Sequence, residues 1–243
     1  MRILIPGLGT SLVLWAVLLV AGAVFLDAAT FESVFVEDRP VEDVSAALWV
    51  GLVLAVLAWR SRLSTVTLLT GVALALAAAA RESDWNKLFT SGSMSKLHYY
   101  TDSGVPFLER AVAAAVVSLL AVVIVFALAH AIRRLRDGGW RRPGGQPVII
   151  GIGLLVFTKV LDRAPAVFRE SFGFEFALQT QRVMLALEEG LEMALPLVFL
   201  SAAYHAARRL LPTEGRFVPA SAREESLIRV PPSARTTAIT RYR

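Results

Sequence analysis

Six long apolar stretches alternate with polar segments along the chain, and this alternation predicts an all-α protein. A helix needs about 20 residues to cross the hydrocarbon core of a bilayer, and the stretches are close to that length. Their approximate bounds are 8–26, 44–59, 64–80, 107–131, 147–161 and 183–207. Residues 1–211 are therefore predicted to form a polytopic transmembrane helix bundle with six spans.

The last part of the chain, residues 212–243, has a different character. It is rich in Pro, Ser, Thr and Arg and shows no lasting hydrophobic periodicity. Segments of this kind bury too little apolar surface to offset the entropy that folding costs. We therefore expect residues 212–243 to form a disordered basic tail.

Charged residues are divided unequally between the two sides of the predicted bundle. If the first stretch runs outward, the inner connections carry sixteen of the 25 Lys and Arg but only four of the 20 Asp and Glu. Lys and Arg close to span ends are retained on the cytoplasmic side of a membrane. Both the N-terminus and the C-terminus are therefore predicted to be cytoplasmic, and the outer side is acidic.

The first stretch has one other interpretation. Ala21, Gly22 and Ala23 form a small-residue site of the kind at which signal peptides are cleaved. The apolar core of a signal peptide is usually about 7–15 residues long, however, and this stretch is longer. We therefore expect a retained span, and cleavage stays open as the alternative.

Composition excludes several kinds of site and partner. The chain has no cysteine, so disulfides, thiolate metal sites and iron–sulfur clusters are excluded. Haem held by two histidines would need His130 and His205 to face each other, and histidine is common at membrane interfaces, so haem is disfavoured. The arginines form short clusters beside spans rather than one patch for nucleic acid. The lipid bilayer is the expected partner, with a protein bound through the tail or the 164–181 connector as an open alternative.

Charged residues also occur inside the predicted spans, at one shared depth. About twenty residues from the inner end of a helix reach the outer boundary of the hydrocarbon. This count places Arg81 and Glu82 there on the third span, Lys159 on the fifth and Glu192 slightly deeper on the sixth. Glu109 and Arg110 reach the same level on the fourth. Charge facing lipid costs several kcal/mol, so we expect these side chains to face one another.

The sharpest constellation is formed by Glu188, Glu189 and Glu192. Residues three or four apart share a helix face, where like charges repel unless a cation or a proton lies between them. Pro196 cannot donate a hydrogen bond to the carbonyl of Glu192, which leaves that oxygen free. Oxygen ligands of this kind suit a hard divalent cation, with Glu188 and Glu192 as the first ligands of any metal. The candidate residues are Glu192, Glu189, Glu188, Arg81, Glu82, Asp84, Lys159, Asp162 and Arg163.

Three functions are compatible with this pattern. The first is an integral membrane protein with a charged pocket on the outer side that binds or moves a small ion or polar ligand. The second is an intramembrane enzyme acting on a lipid or lipid-linked substrate through carboxylates and a divalent cation. The third is a structural or assembly subunit in which the charges serve helix packing. The sequence leaves open whether the protein is an enzyme.

Four charged segments carry a resemblance to known sequences. They are Glu42-Asp43, Arg81-Glu82-Ser83-Asp84-Trp85, Leu161-Asp162-Arg163 and Glu188-Glu189-Gly190-Leu191-Glu192. In this combination the chain resembles a group of uncharacterised multi-span proteins of the bacterial inner membrane. The resemblance implies a bacterial cytoplasmic-membrane location and no particular activity.

Overall fold

The computed structural model describes residues 4–35, 40–88, 90–92, 94, 97–101 and 104–208, so the predicted tail 212–243 lies outside the described part. Within that part all regular structure is helical, which confirms the all-α class. The α-helices are α1 Leu4–Phe25, α2 Ala28–Phe35, α3 Pro40–Ala58, α4 Thr65–Glu82, α5 Leu97–Thr101, α6 Phe107–Arg136, α7 Gly145–Phe172 and α8 Leu178–Arg208. Short 3-10 turns occupy Arg60–Arg62, Trp85–Leu88 and Gly139–Arg141.

Four stretches of the described residues are long and apolar enough to cross a membrane by length and composition. They are Gly7–Phe25, Ala28–Ala58 (which contains α2 and α3), Thr65–Glu82 and Phe107–Arg136. The fifth and sixth predicted spans coincide with α7 and α8, which are 28 and 31 residues long but are not among these four. The four apolar stretches indicate a membrane protein.

Helix α7 is longer than the predicted fifth span. It continues beyond residue 161, through Pro165, to Phe172. Proline removes one backbone hydrogen bond and favours a kink, but a helix supported by a neighbour can continue past it. The expected connector at 164–181 is therefore helical for most of its length, and only residues 173–177 join α7 to α8 without helical structure.

Helix α8 is the centre of the bundle. It packs against α1, α3 and α7, while α4 packs against α3 and adds Ala75 and Ala79 to a core cluster that also contains Leu195 of α8. Ten residues of α8 are buried: Ala186, Gly190, Leu191, Glu192, Ala194, Leu195, Pro196, Val198, Ala202 and Ala207. Helix α6 contrasts with it, because α6 lies beside α4 at the periphery and buries only Ala113.

The crossing of α1 and α8 depends on a small residue. At Gly190 the backbone of α8 approaches α1 so closely that Trp15 Nε1 donates a hydrogen bond to the Gly190 carbonyl over 2.8 Å. The buried side chain of Leu19 occupies the space that a side chain at Gly190 would need. Small residues permit this kind of close backbone approach between membrane helices.

The first turn of α8 also caps the C-terminus of α1. Gln179 Nε2 donates to the carbonyl of Ala23, and Arg182 Nη2 donates to the carbonyl of Leu26, each over 2.8 Å. The Arg182 guanidinium lies 4.4 Å from the centre of the Phe31 ring. The last carbonyls of a helix have no partner within it, and a cation near them is favoured by the helix dipole. These contacts fix the C-terminal end of α1 against α8.

We expect Gly190→Ala to lower the free energy of unfolding by about 1–3 kcal/mol, the usual cost of inserting a methyl group into a filled interface. The added Cβ would clash with Leu19. Thermal unfolding of the purified protein in detergent measures the change. Gly153→Ala is the matched control, because nothing lies within 4 Å of a Cβ at Gly153 on α7. Equal melting temperatures for the two variants would show that the α1–α8 contact is not close-packed.

Candidate functional site

The predicted charges meet because their helices bring them to similar heights. Glu192 is sixteen residues from the end of α8, and Arg81 is sixteen residues from the start of α4. With a rise of 1.5 Å per residue, each lies about 24 Å from that end of its helix, and Lys159 lies about 21 Å from the start of α7. Three helices therefore bring charged groups to one level of the bundle.

Glu192 is the hub of this arrangement. Its Oε1 lies 2.7 Å from Lys159 Nζ, and its Oε2 lies 3.6 Å from Arg81 Nη2. The residue is only 8% exposed, whereas the side chains of Lys159 and Arg81 are 41% and 62% exposed. Each carboxylate oxygen thus has its own cation, and both cations keep an open side.

Further carboxylates surround this ion pair. The charge of Glu188 interacts with Asp162, Glu192 and Lys159, and the charge of Glu189 interacts with Glu188 and Glu192. Glu82 follows Arg81 at the end of α4 and is half-buried. We call the group of Arg81, Glu82, Lys159, Glu188, Glu189 and Glu192 the charged site. Within the described residues, Glu82, Glu188 and Glu189 form no ion pair within 4 Å.

Two residues of α3 that the sequence analysis did not propose extend the charged site. Glu42 interacts electrostatically with both Glu82 and Glu189, and Ser45, which is 1% exposed, faces the carboxyl group of Glu82. Glu42 and Ser45 are three residues apart and so share a helix face. The same count along the helix would have found Glu42 from the sequence. It lies sixteen residues before Ala58, the last residue of α3, which is about 24 Å along the helix.

The other predicted residues lie at the margin of the charged site. Asp162 pairs with its neighbour Arg163 over 3.6 Å and acts on the charged site mainly through its charge on Glu188. Asp84 is ion-paired with Lys87 in the 3-10 turn after α4 and has a left-handed backbone with φ +48°. Asp84 therefore serves a local turn, and no described contact joins it to Glu192.

The charges of α6 have a different partner from the one expected. Glu109 Oε1 accepts hydrogen bonds from the Ser91 amide, the Ser91 hydroxyl and the Tyr99 hydroxyl. Arg110 Nη1 donates to the carbonyl of Tyr100 over 3.2 Å. Burial and the Glu109 carboxylate raise the pKa of Tyr99 to about 12. Because α6 packs beside α4 rather than against α8, its charges bind Ser91, Tyr99 and Tyr100 instead of joining the charged site.

An open groove of about 440 Å³ lies beside the first turns of α6, where Thr90 and Met94 form part of its wall. It is separate from the charged site. Its lining is mainly apolar and consists of Thr90, Met94, Pro106, Leu108, Glu109, Val112, Ala113 and Val116. None of these residues belongs to the charged site. The only carboxylate in the groove, that of Glu109, is already hydrogen-bonded to Ser91 and Tyr99, so the groove offers little chemistry of its own.

The residues proposed as metal ligands do not form a preorganised metal centre. Among the residues that the structure describes, no group of three or more His, Asp or Glu side chains is placed to hold a metal ion. Glu192, the deeper of the two proposed first ligands, instead binds Lys159 and Arg81. The charged site is thus a network of ion pairs bordered by additional carboxylates.

Comparison with known proteins adds no relative. No protein-family model matches the chain, and neither the curated proteins nor the solved structures contain a match.

We expect Glu192→Gln to lower the free energy of unfolding by about 1–3 kcal/mol. Breaking a fully buried ion pair costs about 3–5 kcal/mol, and the partial exposure of Lys159 and Arg81 reduces that figure. In a double-mutant cycle with Lys159→Met, the coupling energy is expected to reach about 0.5–3 kcal/mol. Unfolding in detergent, followed by circular dichroism, measures all four variants.

Asp162→Asn is the matched control for this cycle. It removes an ion pair from the same level of α7, but the Arg163 side chain is 79% exposed, so the expected loss is below about 1 kcal/mol. If Glu192→Gln is no more destabilising than Asp162→Asn, the three-helix ion pair does not stabilise the fold.

Proposed function

We propose that this chain is a multi-span protein of the bacterial cytoplasmic membrane, with both termini cytoplasmic and with α1, α3, α4, α6, α7 and α8 as its six spans. Aromatic residues collect with arginines at the proposed inner ends. The Trp59 and Tyr204 rings are 5.8 Å apart, and Arg141 lies over the ring of Trp140. Aromatic belts and retained arginines are typical of the cytoplasmic interface, which supports this orientation.

We infer further that the charged site binds a small cation from the outer side. The observation that carries this inference is a surplus of carboxylates. Arg81 and Lys159 both pair with Glu192, and Glu82, Glu188 and Glu189 are left without an ion pair among the described residues. Low-dielectric surroundings strengthen the field of these carboxylates, so a cation entering from water is attracted.

Binding is favoured over transport through the bundle. Transporters usually place their sites close to the middle of the bilayer. Glu192 lies about 24 Å from the inner end of α8, which corresponds to the outer third of a hydrocarbon core of about 30 Å. A cation at this level exchanges with the outer solution without crossing the bundle.

A structural function is the second candidate, and one observation favours it. A single carboxylate joins α8 to α4 through Arg81 and to α7 through Lys159. In lipid, where apolar surfaces gain little by meeting one another, polar contacts between helices determine which helices associate. The intramembrane enzyme stays a prediction from the sequence that no contact among the described residues tests.

The deciding experiment measures the melting temperature of purified protein with EDTA and then with Na⁺, Mg²⁺, Mn²⁺, Ca²⁺ or tetramethylammonium. A cation that binds only the folded state at 100 times its Kd adds about 2.7 kcal/mol of stability. We expect at least one of these cations to stabilise the wild-type protein. Glu189→Gln removes an unpaired carboxylate but leaves both ion pairs of Glu192 intact, so it is expected to abolish this gain with little change in the melting temperature in EDTA.

Glu170→Gln is the matched control, because Glu170 is an exposed carboxylate near the end of α7, away from the charged site. This variant is expected to keep the full cation response. A response that is retained in Glu189→Gln, or lost equally in Glu170→Gln, places cation binding elsewhere. If no cation acts and only Glu192→Gln melts early, the structural function is correct.

A further inference from the structure

Four phenylalanine side chains form an exposed cluster where α7 turns into α8. Phe168, Phe172, Phe174 and Phe176 make up this cluster, which we call the aromatic cap. The Phe168 ring lies 5.5 Å from Phe172, 6.4 Å from Phe174 and 5.2 Å from Phe176, measured between ring centres. Phe174 and Phe176 are 5.2 Å apart and perpendicular. Edge-to-face rings at these distances attract one another, so the four side chains form one unit.

The backbone at the end of α7 brings the four rings together. Gly173 has a left-handed conformation with φ +63° and ends α7, a position that glycine adopts without steric cost. The Gly173 amide donates to the carbonyl of Arg169, and the Phe174 amide donates to the carbonyl of Phe168. The chain is thereby folded back, and Phe174 and Phe176 are placed on Phe168.

The aromatic cap is not buried by the rest of the protein. Phe172 is 72% exposed, Phe174 is 52% exposed and Phe168 is 41% exposed. Leu178 at the start of α8 and Val167 on α7 are also exposed and enlarge the apolar surface. A patch of several large apolar side chains on one turn is more than the scattered exposure of an ordinary surface, and it requires something that covers it.

The lengths of the two helices place the aromatic cap at the edge of a bilayer. From Gly145 to Phe172, α7 rises about 40 Å, and from Arg208 back to Leu178, α8 rises about 45 Å. A bilayer is about 40–45 Å thick with its headgroups and about 30 Å thick without them. If the inner end of the hairpin lies at the inner hydrocarbon boundary, the reference used for Glu192, its outer end lies about 10–15 Å beyond the outer boundary. A tilt of about 30–40°, at the upper end of the usual range, lowers that end to the outer headgroups.

We propose that the aromatic cap inserts into the outer headgroup–hydrocarbon boundary and anchors the α7–α8 hairpin at a fixed depth. This inference rests on the proposed membrane placement. Apolar rings at such a boundary lie among the first carbons of the acyl chains, while charged groups stay in water. Glu170 and Glu175 are exposed and are free to remain in that water. The partner is the lipid surface itself. Lipid is favoured over a protein because the aromatic cap continues along α7 into the exposed apolar side chains of Val156, Phe157 and Val160, which the proposed membrane placement puts against lipid.

Depth measurements with a spin label test this proposal. The chain contains no cysteine, so a single introduced cysteine carries the only nitroxide. We would label Phe172→Cys, Phe174→Cys, Glu175→Cys and Val122→Cys in liposomes of phosphatidylcholine and phosphatidylglycerol. Oxygen is enriched in hydrocarbon and a nickel chelate stays in water, so the ratio of the two collision rates reports depth. Val122 is 65% exposed near the middle of α6 and serves as the reference for hydrocarbon.

The proposal predicts a several-fold higher oxygen-to-nickel ratio at positions 172 and 174 than at position 175, and a higher ratio still at position 122. If positions 172 and 174 match 175 while 122 reports hydrocarbon, the aromatic cap is in water and the anchor is wrong, although the membrane placement stands. A water signal at position 122 would overturn both. Labels at 172 and 174 that neither reagent reaches would mean that a protein surface covers the aromatic cap, which also contradicts the proposal.

Discussion

The buried carboxylate of Glu192 is the constraint on which the arrangement of the bundle depends. An unpaired charge in a low-dielectric interior costs several kcal/mol, so a helix that carries it to the centre must be met there by cations from its neighbours. Helix α4 supplies Arg81 and α7 supplies Lys159. This requirement determines which helices pack against α8 at this level and at what height they lie. A shift of one helical turn, about 5.4 Å, would separate the cation from the Glu192 carboxylate. The ion pairs therefore select one register among the many that apolar helix surfaces would accept.

The order of packing in this protein is the reverse of that in a water-soluble one. Among the four apolar stretches of the described residues, α6 contains the most apolar window, with mean hydropathy 3.0, and buries almost nothing. Helix α8 carries Glu188, Glu189 and Glu192, yet ten of its residues are buried. In water, such a helix as α6 would be driven to the core. In a bilayer the acyl chains solvate apolar side chains, so these residues gain little from being buried in protein. Charged residues, and glycines that allow close backbone contact, lie instead at the interfaces between helices. Helix α8 has both, and that combination places it at the centre.

Several features followed from local rules and others did not. The helices α1, α3, α4 and α6 were predictable because each is a long apolar run, and the depth count brought Arg81, Lys159 and Glu192 together because helix rise is constant. The continuation of α7 past Pro165 was not predictable, since it depends on support from α8. The capping of α1 by Arg182 joins residues 156 positions apart, which no local pattern encodes. The hydrogen bonds of Glu109 to Ser91 and Tyr99 were also not predictable, because the depth of a residue along its helix does not reveal which segment lies next to it.

Packing and the cation binding that we propose are compatible in the charged site, because they would use different carboxylates. Arg81 and Lys159 pair with Glu192 and join the helices, while Glu82, Glu188 and Glu189 form no ion pair among the described residues. The charges of Lys159 and Arg81 also act on Glu188, so they offset part of the negative charge of these carboxylates. An anion entering the site would have to displace Glu192 from its two cations and leave that carboxylate buried without a partner, at a cost of several kcal/mol. A cation meets the remaining carboxylates without breaking either ion pair. The proposed preference for a cation would thus follow from the contact that joins the three helices, and any residue change that frees Arg81 or Lys159 would shift that preference toward anions.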